Sequence, residues 1–378
     1  MTLFPLINQE ANRQYLYNIF KSGRVANAYL FYGEEGSGTE GFALEFAALL
    51  NCQAVSDQLC GSCPSCKTML NLENPNLTLV YPIPARSEEA NEDPFKRLKD
   101  DEIAEIQAAI RAKAKNPYHK IAIKKGLHIP INFIREISRT IYLASSQKGY
   151  KVVIIFDAHL LTEQAANAFL KILEEPPANS CFILTTSNPD ELLPTIKSRC
   201  QSLFFPPIPP AELETYFANK GYSTNDVRLA VHLAAGNVLN ASQLLESDLD
   251  TVKKTTLRII TALTAGDIAG VYNLTNSLGQ IAREEPELFK QIMRALLFWI
   301  RDIQVMLSGQ ESTALIFQEY SSQIREFCQK YPVIDCHSMK TAVENCVDFL
   351  NHNVYINLAL LEMFFNLRNS IKTGIVYV

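Results

Sequence analysis

The sequence has no apolar run that reaches the ~18 residues a membrane-spanning helix needs, so no spanning helix is expected. It also lacks an excess of positive charge: 35 Lys and Arg stand against 40 Asp and Glu, a net charge of −5. A chain balanced in this way does not coat nucleic acid by bulk electrostatics, and any DNA contact has to be local or shared with partners. The start, Met1-Thr2-Leu3-Phe4-Pro5, has no basic region ahead of an apolar core, and no signal peptide is expected. No internal repeat is evident. The expectation is a soluble, cytoplasmic chain of two or three domains, since 378 residues with 47% hydrophobic content are ample for separate cores.

An even spread of cysteine is missing as well. Five of the nine (Cys181, Cys200, Cys328, Cys336, Cys346) are scattered, and an odd total argues against a complete disulfide framework. Cysteines scattered in this way usually serve as small apolar core residues. The other four, Cys52, Cys60, Cys63 and Cys66, follow the spacing C-x7-C-x2-C-x2-C. Four soft ligands so close in sequence can close a tetrahedral thiolate site with no open position for water, which points to structural Zn2+. An iron–sulfur cluster or unmetallated thiols remain the alternatives.

The most telling absence is a lysine. Gly33-Glu34-Glu35-Gly36-Ser37-Gly38-Thr39-Glu40 keeps the glycine frame of a phosphate-binding loop, G-x-x-x-x-G-K-[ST]. Thr39 stands where a lysine would reach the phosphates, and Glu40 where a hydroxyl would hold magnesium. Glu40 falls in the first turn of the following helix, where the helix dipole favours a carboxylate, and it is expected to take the electrostatic place of a phosphate. Gly33, Gly36, Gly38, Thr39 and Glu40 are thus candidate residues of a degenerate nucleotide site.

Strands and helices alternate along the first two hundred residues. Asn27–Tyr32 reads as a strand running into the glycine loop, and Gly41–Leu50 as a helix with Phe42, Phe46 and Leu49 or Leu50 at helical spacing. Strands are expected at Leu77–Tyr81, Lys151–Asp157 and Cys181–Thr186, and helices at Asn132–Ser145 and Thr162–Glu174. The continuously apolar strands belong to a parallel sheet covered on both faces. A charged insertion, 86–125, interrupts the pattern with Ser87–Asp93 and then Lys96, Arg97, Lys99, Lys113, Lys115, Lys120, Lys124 and Lys125. It reads as a solvated, partly helical segment around Asp101–Ala114, or as a lobe that contacts a partner or DNA. Pro206-Pro207-Ile208-Pro209-Pro210 is a stiff linker. Beyond it everything reads as helix: Ala211–Lys220, Thr224–Ala234, Leu239–Glu246, and long apolar-periodic helices to the end.

The strand ending Phe156-Asp157 lies where a nucleotide-hydrolysing fold places Asp-Glu, the aspartate for magnesium and the glutamate for the attacking water. Phe156 cannot bind magnesium, and Asp157 is one methylene shorter than the glutamate it replaces. Both halves of the site are altered together.

With Ala28–Gly33, the four-cysteine module, Asp157-Ala158-His159-Leu160-Leu161-Thr162, Asn167-Ala168-Phe169-Leu170-Lys171, Leu173-Glu174-Glu175-Pro176-Pro177 and Ser198-Arg199-Cys200 in one order, the chain resembles the bacterial clamp-loader subunits of the AAA+ class, the delta-prime type above all. The motifs cover about residues 5–245, and beyond them the resemblance rests on helical character alone. It implies an α/β AAA+ (RecA-like) nucleotide-binding-fold domain at 1–205 carrying the zinc module (52–66), a helical lid at 206–250 and an all-α collar at 251–378. In the collar, Leu296–Ile300 and the stretch from Phe349-Leu350 to Phe364-Phe365 offer apolar surface for packing. Arg199 then matches the arginine that reaches across a subunit interface to a neighbour's ATP, a role that can be worth about 10³–10⁵ in rate. Thr185, Thr186 and Asn188 fall in the sensor-1 region. Leu239, in Gly236–Ala241, stands where active subunits place the sensor-2 arginine. The resemblance implies no intrinsic ATPase and little or no ATP binding, with gamma/tau-like ATPase subunits and a delta subunit as ring partners. The sliding clamp and primed DNA would be met through the complex, and no membrane. The alternative is an ATP-binding gamma/tau-like motor.

Overall fold

The computed structural model describes the chain outside residues 1–2, 55–58, 85–92, 97, 125, 143–147, 266–267, 310–313, 350–354 and 373–378. Ser87–Glu92, Arg97, Lys125, the end of the helix expected to reach Ser145, four residues of the cysteine module and Leu350 therefore lie outside the described residues. The chain divides into two compact units, Met1–Glu212 with Gly236–Leu239, and Leu213–Ala235 with Asn240–Val378.

The first unit is built on five parallel strands: β1 (Ala28–Gly33), β2 (Leu77–Val80), β3 (Lys151–Ile155), β4 (Ser180–Thr186) and β5 (Gln201–Phe205), in the order β2-β3-β4-β1-β5. Their helices are α1 (Glu10–Ser22), α2 (Thr39–Asn51), α3 (Pro64–Leu70), α4 (Asp100–Lys115), α5 (Ile131–Thr140), α6 (Glu163–Glu174) and the short α7 (Pro194–Lys197). All seven residues of β4 are buried, as an apolar run flanked by strands on both sides requires. The expected α/β class and parallel sheet are borne out. The expectation missed α1, α3, α7 and β5. In β5 only Phe205 is buried, so the edge strand carries no apolar alternation to read.

Helix α2 buries more than the Phe42, Phe46 and Leu49 or Leu50 stripe expected of it. Every residue from Gly41 to Asn51 is buried, so it runs through the core rather than along its surface. It therefore buries Glu45, whose Oε2 accepts the backbone N–H groups of Leu3 (3.0 Å) and Phe4 (3.1 Å) and ties the N-terminal segment to the core.

The second unit is helical apart from a short antiparallel pair, Val333–Ile334 with Ile371–Lys372, which the all-helical expectation missed. After α8 (Pro210–Ala218) come α9 (Thr224–Ala234), α10 (Val238–Gln243), α11 (Leu249–Ala265), α12 (Ile268–Glu284), α13 (Pro286–Leu307), α14 (Ser321–Lys330), α15 (Cys336–Phe349) and α16 (Ile356–Asn369). A π turn, Leu244–Asp248, joins α10 to α11. Phe289, Ile292, Met293, Leu296, Trp299, Ile300 and Ile303 recur at helical spacing along α13 and are all buried, making it the core element of the unit. Among the described residues no helix is long and apolar enough to cross a membrane.

Candidate functional site

Parallel register brings the C-terminal ends of β1, β3 and β4 to one edge of the sheet, with Tyr32 opposite Thr186 and Ile155 opposite Leu184. That edge is where open α/β sheets bind ligands. The glycine loop leaves β1 here and enters α2. Gly36 (φ +77°) and Gly38 (φ +100°) hold the left-handed backbone that the loop needs. The space above Gly36 is taken: a Cβ there would lie 2.3 Å from Asn237 Oδ1, so the Gly236–Leu239 segment closes directly onto the loop. Leu239 donates its N–H to the same Asn237 oxygen at 2.9 Å. Thr39 begins α2, and Glu40 sits in its first turn as expected.

The cations of the site come from α4 and the turn after it. Lys113 is fully buried, and its Nζ pairs with Glu40, whose side chain is 14% exposed. The same Nζ donates to the carbonyls of His119 (2.8 Å) and Pro117 (3.3 Å) and stands 4.7 Å from the centre of the Phe156 ring. Lys120 bridges Glu35 Oε1 at 2.6 Å and Asp157 Oδ2 at 3.2 Å. Burial pushes the Glu40 carboxyl up from its ordinary value, with Lys113 pulling it down. Burial also works against the Lys120 ammonium, but Asp157 and Glu35 outweigh it and raise its pKa.

The turn carrying these groups packs on the loop and its helix. Tyr118 Oη accepts the Ile7 N–H at 2.7 Å, and a Cβ on Gly41 would come within 3.2 Å of Pro117 Cβ. The charged insertion is thus not a solvated segment throughout: its second half turns two lysines inward onto the glycine loop. Sequence reasoning passed over Lys113 and Lys120. A signal was present, because Ile106, Ala109 and Lys113 lie along one buried face of α4, and a lysine on an apolar face needs a buried partner.

Thr185, Thr186 and Asn188, which the resemblance assigned to the sensor-1 region, lie at the same sheet edge. Thr186 Oγ1 is 2.9 Å from His159 Nδ1 and accepts the Asn188 N–H at 3.0 Å, while the buried Thr185 hydroxyl has no partner among the described residues. Asp157, just past β3, adopts the left-handed conformation (φ 47°). Arg199 follows α7 and is 37% exposed on its side chain, with its guanidinium donating to Glu174 Oε1 (2.8 Å) and to the Thr195 carbonyl (3.1 Å). The Leu-Glu-Glu-Pro-Pro and Ser-Arg-Cys motifs therefore meet side chain to side chain.

Away from this edge, the sulfurs of Cys52, Cys60, Cys63 and Cys66 all lie within 4.8 Å of one another. The Cys52–Cys60 and Cys60–Cys66 separations are 3.6 and 3.8 Å. A tetrahedron with metal–sulfur bonds of about 2.3 Å has edges of about 3.8 Å, so the four thiols fit a metal ion such as zinc. Gly61 (φ +67°) turns the chain so that the Cys63 N–H points at Cys60 Sγ (3.3 Å), and the Cys66 N–H meets Cys63 Sγ (3.4 Å). Backbone N–H groups of Ser62 and Cys63 lower the Cys60 thiol to about 6, favouring the thiolate a metal takes.

Residues 8–209 match the family model described as DNA polymerase III, delta subunit. The chain belongs to that family. It is 31% identical over 233 residues to DNA polymerase III subunit delta' of Bacillus subtilis, covering 62% of this chain and 58% of the relative. It is 37% identical over 133 residues to the subunit delta' of Escherichia coli, covering 35% and 40%. A DNA polymerase III subunit gamma/tau of Mycobacterium tuberculosis is 30% identical over 198 residues, 52% of this chain and 27% of that one. The chain thus aligns with less than two thirds of the length of each of these curated relatives. A gamma subunit-related structure from Thermotoga maritima aligns over 94% of this chain and 98% of its own, at 16% identity and a TM-score of 0.37. The family expected from the Leu-Glu-Glu-Pro-Pro and Ser-Arg-Cys motifs is borne out, and the matched segment of this DNA polymerase III delta-family chain contains the whole parallel sheet.

Proposed function

We propose that the chain is a delta-prime-like clamp-loader subunit that does not turn over ATP and that supplies Arg199 to the ATP of a neighbouring subunit. The observation that carries the reading is the Lys113–Glu40 pair. A nucleotide cleft needs unpaired positive charge for phosphates and an open ligand position for magnesium. Here the buried cation is already matched by Glu40, and Phe156 stands in place of the aspartate. Arg199, by contrast, is displayed on the surface, where a planar guanidinium with spare donors can reach a γ-phosphate in trans. In this reading the chain sits in a ring with gamma/tau-like ATPase subunits and a delta subunit. Residues 1–205 form the AAA+ domain, 206–250 the lid and 251–378 the collar. The ring loads the sliding clamp on primed DNA. The four cysteines hold a structural Zn2+ that fixes the segment between α2 and β2.

The test is Mg-ATP binding and hydrolysis by the purified chain alone. The reading expects neither. Saturable binding with turnover would make the chain a gamma/tau-like motor and overturn it.

A further inference from the structure

The position of the Lys113 ammonium has a chemical meaning beyond neutralising Glu40. In a working phosphate-loop site, magnesium lies between the residue after the loop lysine position and the aspartate at the end of a second strand of the same sheet. Those two positions are Glu40 and Phe156 in this chain. Lys113 Nζ stands between them, paired with the Glu40 carboxylate and 4.7 Å from the Phe156 ring centre. Its remaining acceptors are the carbonyl oxygens of His119 at 2.8 Å and Pro117 at 3.3 Å. One carboxylate and two carbonyls make a hard oxygen set, the ligand chemistry of magnesium, manganese and calcium rather than of softer metals.

We propose that Lys113 is a resident cation in the magnesium position of the cleft, with Glu40, Pro117 and His119 as its oxygen ligands. The inference rests on the reading of this loop as a disused nucleotide site. The insertion between β2 and β3 thereby supplies from within the chain the positive charge that a bound metal ion brings to an active relative. The cleft keeps its packing with no ligand bound. Lys120, held by Glu35 and Asp157, closes the same edge with a second internal cation. Phe156 also becomes intelligible: an ammonium gains from an aromatic face, whereas a metal would require the aspartate.

The inference predicts a site that removal of Lys113 opens to a divalent cation. In Lys113→Ala, with the full chain intact, Mn2+ should raise the melting temperature by about 3–6 °C at tenfold excess over its Kd. Wild type should not respond, and neither should Lys113→Ala/Glu40→Gln, which lacks the carboxylate. Equal Mn2+ responses in wild type and Lys113→Ala would overturn the proposal. A second measurement does not depend on the variants folding. An amine-reactive label on native wild-type chain should modify the exposed Lys115 and spare Lys113, and equal labelling of the two would also overturn it. Failure of the wider reading is separately visible, since it would appear as Mg-ATP binding by the unmodified chain.

Discussion

Replacing Lys113 by Met leaves a carboxylate in the core without its cation. Lys113 is fully buried and Glu40 nearly so, and they hold each other across seventy-three residues of sequence. Removing one partner of a buried pair costs about 3–5 kcal/mol, because the other charge stays desolvated. Glu40 has a partial escape, since burial already raises its pKa and it can take up a proton, so the lower end, about 3 kcal/mol, is expected. For a unit of roughly two hundred residues, at about 2–4 °C per kcal/mol, the first unit's melting temperature should fall by about 6–12 °C. The double variant Lys113→Met/Glu40→Leu should recover the part of this loss that comes from the orphaned carboxylate, while the Pro117 and His119 carbonyls still lack their donor. Exposed Lys115→Met should stay within about 0.5 kcal/mol of wild type. Thermal melts followed by circular dichroism, with urea titrations for the free energies, measure all three. A Lys113→Met loss below about 1 kcal/mol, or a double variant worse than the single, would refute the reasoning.

The cysteine module should carry one zinc per chain by native mass spectrometry, with Cys66→Ser reducing zinc retention and lowering the melting temperature. Metal-free native chain with four freely titrating thiols would contradict this. In the second unit, Asp302 is fully buried and accepts the N–H groups of Ile316 (3.1 Å) and Phe317 (2.7 Å). Asp302→Ala orphans both and should cost about 3 kcal/mol by urea unfolding, at about 1–3 per unsatisfied group. A loss under about 1 kcal/mol would mean that water replaces the carboxylate. Gly36→Ala should also destabilise the first unit, because its Cβ meets Asn237 at a positive φ. A melting temperature equal to wild type would show that the Gly236–Leu239 segment does not close on the loop in solution.

Much of the α/β unit was legible because its strands are short apolar runs bounded by Gly, Pro or charge. Lys151–Asp157 and Cys181–Thr186 declare themselves as buried strands. The edge strand Gln201–Phe205 does not, because its outward residues face solvent and only Phe205 is committed to the core. The helix Thr224–Ala234 was read to the residue, since Ser223 caps its start and a left-handed Ala235 ends it. The altered loop, strand end and cysteine cluster were equally plain, being local in sequence. What the sequence hid is the part that joins distant segments. Nothing near Glu40 says that its partner is Lys113, and nothing near Arg199 says that Glu174 holds it. Composition also made 86–125 look solvated, when the few residues that matter there are two lysines turned inward.

The central claim is that this chain acts on a neighbour's ATP through Arg199, and steady-state ATP hydrolysis by the reconstituted ring tests it most directly. With Arg199→Ala in this subunit alone and assembly verified, turnover at the adjoining ATPase site should fall by up to about 10³–10⁵, while ATP binding there is retained. Unchanged turnover in a fully assembled ring would contradict the account.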